Sequence, residues 1–472
     1  MFLRKTNTYI RTMDSPKSCM CDIINALRNE IVSLEQPENR ELLERFIFPD
    51  AAGRTDDLFT RRTPLTAPLL LSFIMRHNPL STQISLFEFF DSIGHHPVTK
   101  SALSQRRTRL NPEVFVYLGK NLLRRSYDML KDKMPLWHGW HVLAADGSDI
   151  ALPDTESIAE YFGRHKYATN RGTRGETFPI AKAVMVNDML SEFTLCGTLR
   201  TDRFNERTML EDLLPELMEM LPFEPPRTIC IMDRGYYSLK IVDQIIRAGM
   251  KYVIRVPFSS KVIDEFVASG EMDKEIEWMP THNTSPDLDS RWKAEGRKPL
   301  RIRLVRVDLP EGEVEVLATN LNCTEVPTAR MKELYFMRWP IEVEYLHYKH
   351  ALVIESFSGG RPICIMQDYF ATILVHNMIR LITTASGEEV KQENLHKKLN
   401  YKPNVAILVG MFYAVFVEMM VLDKLDWCVG FLYVTACKML TPIREGRKFP
   451  RRWKKRANSD KNRTQSNRKR VN

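Results

Sequence analysis

Over residues 20–130 apolar positions recur at helical spacing, and polar turns break the runs at 65–75 and 84–90. Gly94-His95-His96-Pro97-Val98-Thr99 punctuates the pattern. Thr99 then serves as the N-cap of a short helix that Asn111-Pro112 stops. From about Trp140 the texture becomes α/β. Residues 141–145 form a short apolar strand ending at Asp146, and 149–153 continue it or pair with it. Residues 180–186 and 193–200 flank Asn187-Asp188, a hairpin pattern. A helical stretch at 208–221 leads to the buried-type strand 228–232, which ends at Asp233. A helix at 239–248 and a strand at 252–256 follow.

Residues 259–326 read as an insertion. LRIRLVRVDL at 300–309 mostly alternates, Pro310-Glu311-Gly312 turns, and Val314, Val316 and Ala318 alternate again, an antiparallel β pattern. Beyond it the chain is helical, is broken at Gly359-Gly360-Arg361-Pro362, and continues in helices to about Leu440. The expected organisation is a mixed α/β protein. A helical N-terminal region spans 1–130, an α/β core 131–258 and its second part with C-terminal helices 327–442. The β-rich insertion, 259–326, lies between the two core parts, and a basic tail occupies 443–472.

Charge sharpens this division. The 472 residues carry a net +9. From Arg444 to Arg470 there are 13 Lys or Arg and two acids, so that stretch is +11 and the rest near −2. A basic arm on a near-neutral body fits an anionic partner such as nucleic acid, or else simply a solubilising tail. The helix after Thr99 carries Lys100, Arg106, Arg107 and Arg109, which suits a helix-turn-helix-like DNA reader, or a solvated face of a helical support domain. Eight scattered cysteines include no CxxC pair, which excludes zinc-finger spacing and fits reduced thiols in a cytoplasmic protein. The N-terminal residues are too polar for a signal-peptide core. The apolar stretch 405–417 is too short to span a bilayer and reads as a buried helix.

Three acids stand out. Asp146 and Asp233 each follow a buried strand, where a rigid scaffold presents hard oxygen donors at the sheet edge; either alone could equally be a turn or cap residue. In the later helical stretch Tyr335, Arg338, Glu342 and Lys349 fall at offsets 0, 3, 7 and 14. On an ideal helix these lie in a stripe roughly 60° wide, with Glu344 on the opposite side. Pro340 interrupts that helix or starts a new one.

Tyr335-x2-Arg338-x3-Glu342-x6-Lys349 resembles the Tyr-Arg-Glu-Lys signature of the insertion-sequence-four group of bacterial DDE transposases. AADGSDIALPD, IMDRGYYS and YFMRWPIEVEYLHYKHALVIESFSGG are similar to that group in the same order, and the resemblance covers roughly residues 55–455. It implies an RNase H-like catalytic core interrupted by a β-rich insertion, with a helical N-terminal DNA-binding region. It further implies two Mg²⁺ or Mn²⁺ ions held by Asp146, Asp233 and Glu342. Tyr335, Arg338 and Lys349 would contact the transposon end, and a homodimer would act on paired double-stranded ends and target DNA. Some relatives stack a flipped base on a Trp where this chain has Glu315, and a carboxylate offers no π face. Core roles are expected for the nearby Trp278 and Trp292. The competing readings are another RNase H-like nuclease or resolvase, and a silent transposase-derived DNA-binding protein.

Overall fold

The computed structural model describes residues 16–55, 59, 64–76, 79–165, 178–258, 261–278, 286–296, 298–309 and 313–444. The basic tail past Arg444 and the turn at 310–312 lie outside these residues. The chain divides into two compact units: Met1–Met134 with Ala151–Ile180 and Leu346–Asn472, and Pro135–Ile150 with Ala181–Tyr345. These bounds differ from the sequence-based segments, because residues beyond 345 group with the N-terminal helices.

The reason lies in the 32-residue helix Pro362–Glu393. Most of its residues from Cys364 to Ser386 are buried, as those of a central helix must be. The helices Pro16–Ser33, Ala67–Met75, Glu113–Met129 and Leu425–Lys438 pack against it. Thr99 caps the helix Lys100–Arg109 as expected, its hydroxyl accepting from Ala102 N at 3.2 Å. The 13-residue apolar stretch forms two helices, Val405–Ala414 and Phe416–Met420, and no described helix is long and apolar enough to cross a membrane.

The other unit is built on the sheet. Its strands are β1 (His141–Ala151), β3 (Phe178–Asp188), β4 (Thr194–Thr201), β5 (Thr228–Met232), β6 (Lys251–Arg255), β7 (Asp273–Trp278), β8 (Leu300–Asp308) and β9 (Val314–Thr319). A two-residue β2 (Arg164–His165) pairs with Phe178 and Pro179 at the start of β3. The order β4-β3-β1-β5-β6, with β3–β4 antiparallel and β1–β5–β6 parallel, is that of an RNase H-like core. The predicted hairpin forms, but its strand runs on through Asn187 and Asp188 and the turn falls at 189–193. Both residues are buried, and Asp188 Oδ1 accepts from Leu190 N.

The β-rich insertion is continuous with the core sheet. β9 pairs antiparallel with β6, β8 with β9 and β7 with β8, so it extends the core sheet. Trp292 is buried as expected, and its indole N–H donates to Asp243 at 3.4 Å. Trp278 stacks on Tyr237 with ring centroids 6.3 Å apart. Glu315 on β9 is ion-paired to Arg255 at 2.8 Å.

Candidate active site

β1 and β5 pair in parallel from His141–Thr228 to Ala144–Ile231. Two residues further along each strand come Asp146 and Asp233, so the register places them level where the ladder ends. Neighbouring strands lie about 4.8 Å apart, which fixes the spacing of the two backbones. Asp146 was expected past the end of its strand. β1 in fact continues to Ala151, and what ends beside Asp146 is its pairing with β5. By the period of two, Asp146 and Asp233 share a face with Val142, Ala144, Ile229 and Ile231. That face is packed by Leu334, Tyr335 and Ile341.

The helical segment over this face is broken where Pro340 predicted. One helix runs Thr328–Phe336, a second Pro340–Leu346, and a π-helical turn His347–Ala351 follows. The continuous stripe is therefore corrected: Tyr335, Glu342 and Lys349 sit on three different helical pieces, and Arg338 on the turn between the first two. Three of them still converge. Tyr335 is buried and its hydroxyl donates to Asp233 Oδ1 at 3.4 Å. Burial, then the Asp233 charge, pushes that phenol up to about 12, so it stays a donor. Arg338 is 6% exposed and its Nη2 lies 3.6 Å from Glu342 Oε1. Glu342, in the first turn of the second helix, is 43% exposed. Glu344, on the opposite side, is buried. Lys349 belongs to the helical unit, on the π turn, with Nζ 3.9 Å from Glu355.

Asp146 is raised from the ordinary 3.8 to about 6. Burial is the main cause. The Gly147 N–H and the Arg338 charge oppose it, while Glu206 and Glu342 add to it. A buried carboxyl with further acids beside it is a donor set that a hard divalent cation would relieve. Among the described residues, Arg338 Nε is buried without a hydrogen-bond partner, a donor still open to an anion. No three His, Cys, Asp or Glu side chains among the described residues form a ready-made metal cluster. The donors thus suit a divalent cation in chemistry, and the carboxylates would have to close around it.

In the helix Lys100–Arg109, Arg107 does not suit the DNA contact expected of it. Arg107 is 1% exposed, with Nη2 2.7 Å from Asp368 Oδ1, Nε 2.7 Å from Gln367, and Nη1 on Ser358. A guanidinium so enclosed cannot reach a phosphate. Arg109 donates to the carbonyls of Phe48 and Arg54, and Arg106 lies over the Phe59 ring at 5.1 Å. Lys100 is exposed. The local pattern recorded the charges but not the elements that take them up. The sequence reading also missed Glu206, whose carboxylate lies against Gly147 beside Asp146.

A family model described as Transposase DDE domain matches residues 137–349. The chain is 24% identical over 376 residues to the transposase InsG for insertion sequence element IS4 of Escherichia coli strain K12, covering 78% of this chain and 80% of the relative. It is 21% identical over 214 residues to the putative transposase InsZ of the same strain, covering 44% and 67%. Among solved structures it is similar to the piggyBac transposase synaptic complex with hairpin DNA, at TM-score 0.40 and 11% identity over 93% of this chain and 88% of that one. It is also similar to the Mos1 mariner paired end complex with Mn, at TM-score 0.17 and 13% identity over 59% and 89%. At these scores the structural likeness adds nothing to the assignment. The family match and the sequence relatives support a DDE transposase of the insertion-sequence-four group, a class of enzymes that cleave DNA and transfer strands.

Proposed function

We propose that Asp146, Asp233 and Glu342 form the reaction centre of cut-and-paste transposition, acting on the terminal inverted repeats of an insertion sequence. One observation carries this reading. The two aspartates stand level where the β1–β5 ladder ends, and the segment bearing Glu342 reaches them through the Tyr335 hydroxyl on Asp233 and the Arg338 charge acting on Asp146.

The three carboxylates would hold two Mg²⁺ or Mn²⁺ ions, which when bound activate the attacking oxygen and stabilise the leaving 3′-oxygen. Tyr335 fixes the Asp233 carboxylate by its hydroxyl hydrogen bond. Arg338 keeps Glu342 and Asp146 from repelling each other and offers its open Nε to a phosphate oxygen. Its burial makes it a fixed donor. Lys349 supplies a second phosphate contact that fixes register. Water attacks first and nicks at the transposon end; the freed 3′-hydroxyl then attacks a second phosphodiester. The partners are double-stranded terminal repeats and target DNA, bound by a homodimer on paired ends in the cytoplasm. Because Glu315 replaces the base-stacking Trp and is engaged by Arg255, release through a DNA hairpin is the weaker route.

The test is to incubate the purified protein with the element's own terminal repeats and Mg²⁺. Nicks bearing 3′-hydroxyls and joined products are expected; hydrolysis without joining would indicate a nuclease instead.

The raised carboxyl at Asp146 has a measurable consequence. In EDTA the folded protein binds a proton there more tightly than the unfolded chain does. Stability therefore falls as pH rises from about 4 to about 6 and stays lower above, by up to about 3 kcal/mol. Asp146→Asn is expected to remove that decline. Melting temperatures across pH 4–7 check it, and parallel profiles for the two proteins would refute it.

The +11 stretch yields a binding prediction. Deleting 444–472 should weaken DNA binding without changing the preferred sequence, and make the salt dependence shallower through lost counterion release. An unchanged slope in a salt titration would remove the tail from the DNA.

A further inference from the structure

Glu206 opens the helix Glu206–Met220, whose N-cap Asn205 accepts from Arg207 N at 2.9 Å. An acid at that place favours the positive end of a helix and needs no further role. Its neighbours give it one. A Cβ added at Gly147 would collide with the Glu206 carboxyl carbon and Oε2, and would lie 2.7 Å from Cγ. Gly147 is not among the positive-φ glycines, so its missing side chain answers to this close approach and not to backbone conformation. The same Glu206 Oε2 accepts from the Tyr236 hydroxyl at 3.3 Å, and Lys182 Nζ lies 3.6 Å from Oε1. Tyr236 is buried on the 3₁₀ turn Arg234–Tyr236 that follows Asp233.

Glu206 therefore touches both aspartate-bearing segments: the residue after Asp146 and the turn after Asp233. It does so where these segments need it. The β1–β5 ladder pairs residues only as far as Ala144–Ile231, so the two carboxylates stand beyond the last rung. We propose that Glu206 is a positioning residue of the cleavage reaction, a strut from Gly147 to Tyr236 that sets the separation of Asp146 and Asp233. The proposal rests on the assignment of those two aspartates to the reaction centre. Displacement of a reacting group by about 1 Å costs roughly 100-fold in rate, so a strut of this kind acts on the chemical step and leaves DNA affinity alone.

The test is single-turnover cleavage of terminal-repeat duplex by saturating protein, with affinity and melting temperature measured on the same preparations. Glu206→Ala is expected to slow cleavage roughly 100-fold with the dissociation constant unchanged. Glu206→Gln keeps an oxygen for Tyr236 and the same bulk on Gly147, and should recover most of the rate. Tyr236→Phe should slow cleavage too, and adding it to Glu206→Ala should cost little more, because both remove one tie. A role confined to the helix end would lower the melting temperature without separating these rates. Wild-type cleavage by Glu206→Ala beside an inactive Asp146→Ala would overturn the strut alone; wild-type cleavage by Asp146→Ala would overturn the site assignment and the strut with it. A Glu206→Gln protein as slow as Glu206→Ala, folded and bound to DNA, would also overturn it, since the charge and not the shape would then matter. If Glu206→Ala does not fold, Tyr236→Phe decides: an unchanged rate refutes the proposal.

Discussion

Replacing Asp146, Asp233 or Glu342 by alanine is expected to slow terminal-repeat cleavage by at least roughly 1,000-fold, the scale on which one charge-stabilising group is felt at a reaction centre. DNA binding should survive in all three. The argument is geometric. Asp146 and Asp233 emerge level from paired strands, so loss of either removes a donor from a fixed position that no neighbour occupies. Glu342 differs: it is 43% exposed and loosely engaged by Arg338 at 3.6 Å, so its removal disturbs the fold least and isolates the chemical role best. Gel shifts and cleavage on the same preparations decide it. Normal cleavage by any one variant removes that residue from the centre.

Arg107→Ala should produce the largest loss of stability, about 3–5 kcal/mol, the usual cost of leaving one member of a buried ion pair alone. Asp368 would remain 1% exposed and lose its countercharge. Ser358 still donates to that carboxylate, through its backbone N at 2.7 Å and its hydroxyl at 2.8 Å, but neither carries charge. Gln367 would lose its partner at Arg107 Nε while keeping the carbonyls of Arg107 and Leu110. Denaturant unfolding measures the loss, and a change below about 1 kcal/mol would place Arg107 with ordinary surface cations.

The same residue shows where sequence reading stops. Four cations on a capped helix after a glycine turn carry the local signs of a DNA reader, and the cap is real. The partner of Arg107 lies 261 residues away, on a helix whose apolar pattern gives no register to Lys100–Arg109. A signal was available from the other side: Gln367 and Asp368 are polar residues inside an apolar helix, and buried polar groups require partners. The strands leading to Asp146 and Asp233, the break at Pro340 and the alternation of β8 and β9 were legible because each depends on neighbours in sequence. The stripe was legible only as residue identities, since Pro340 and the π turn bend the axis that an ideal helix assumes. Glu206 left only an Asn-Glu helix start to read; its purpose depends on a glycine 59 residues earlier.

The chain passes between its two compact units four times, at 134–135, 150–151, 180–181 and 345–346. No contiguous stretch of the sequence encodes either unit. A ribosome adding roughly 5–20 residues per second must therefore emit Tyr345 before the α/β unit has all its parts. A truncated transcript or an early stop would yield a chain unable to cut, so cleavage competence is withheld until most of the message has been read.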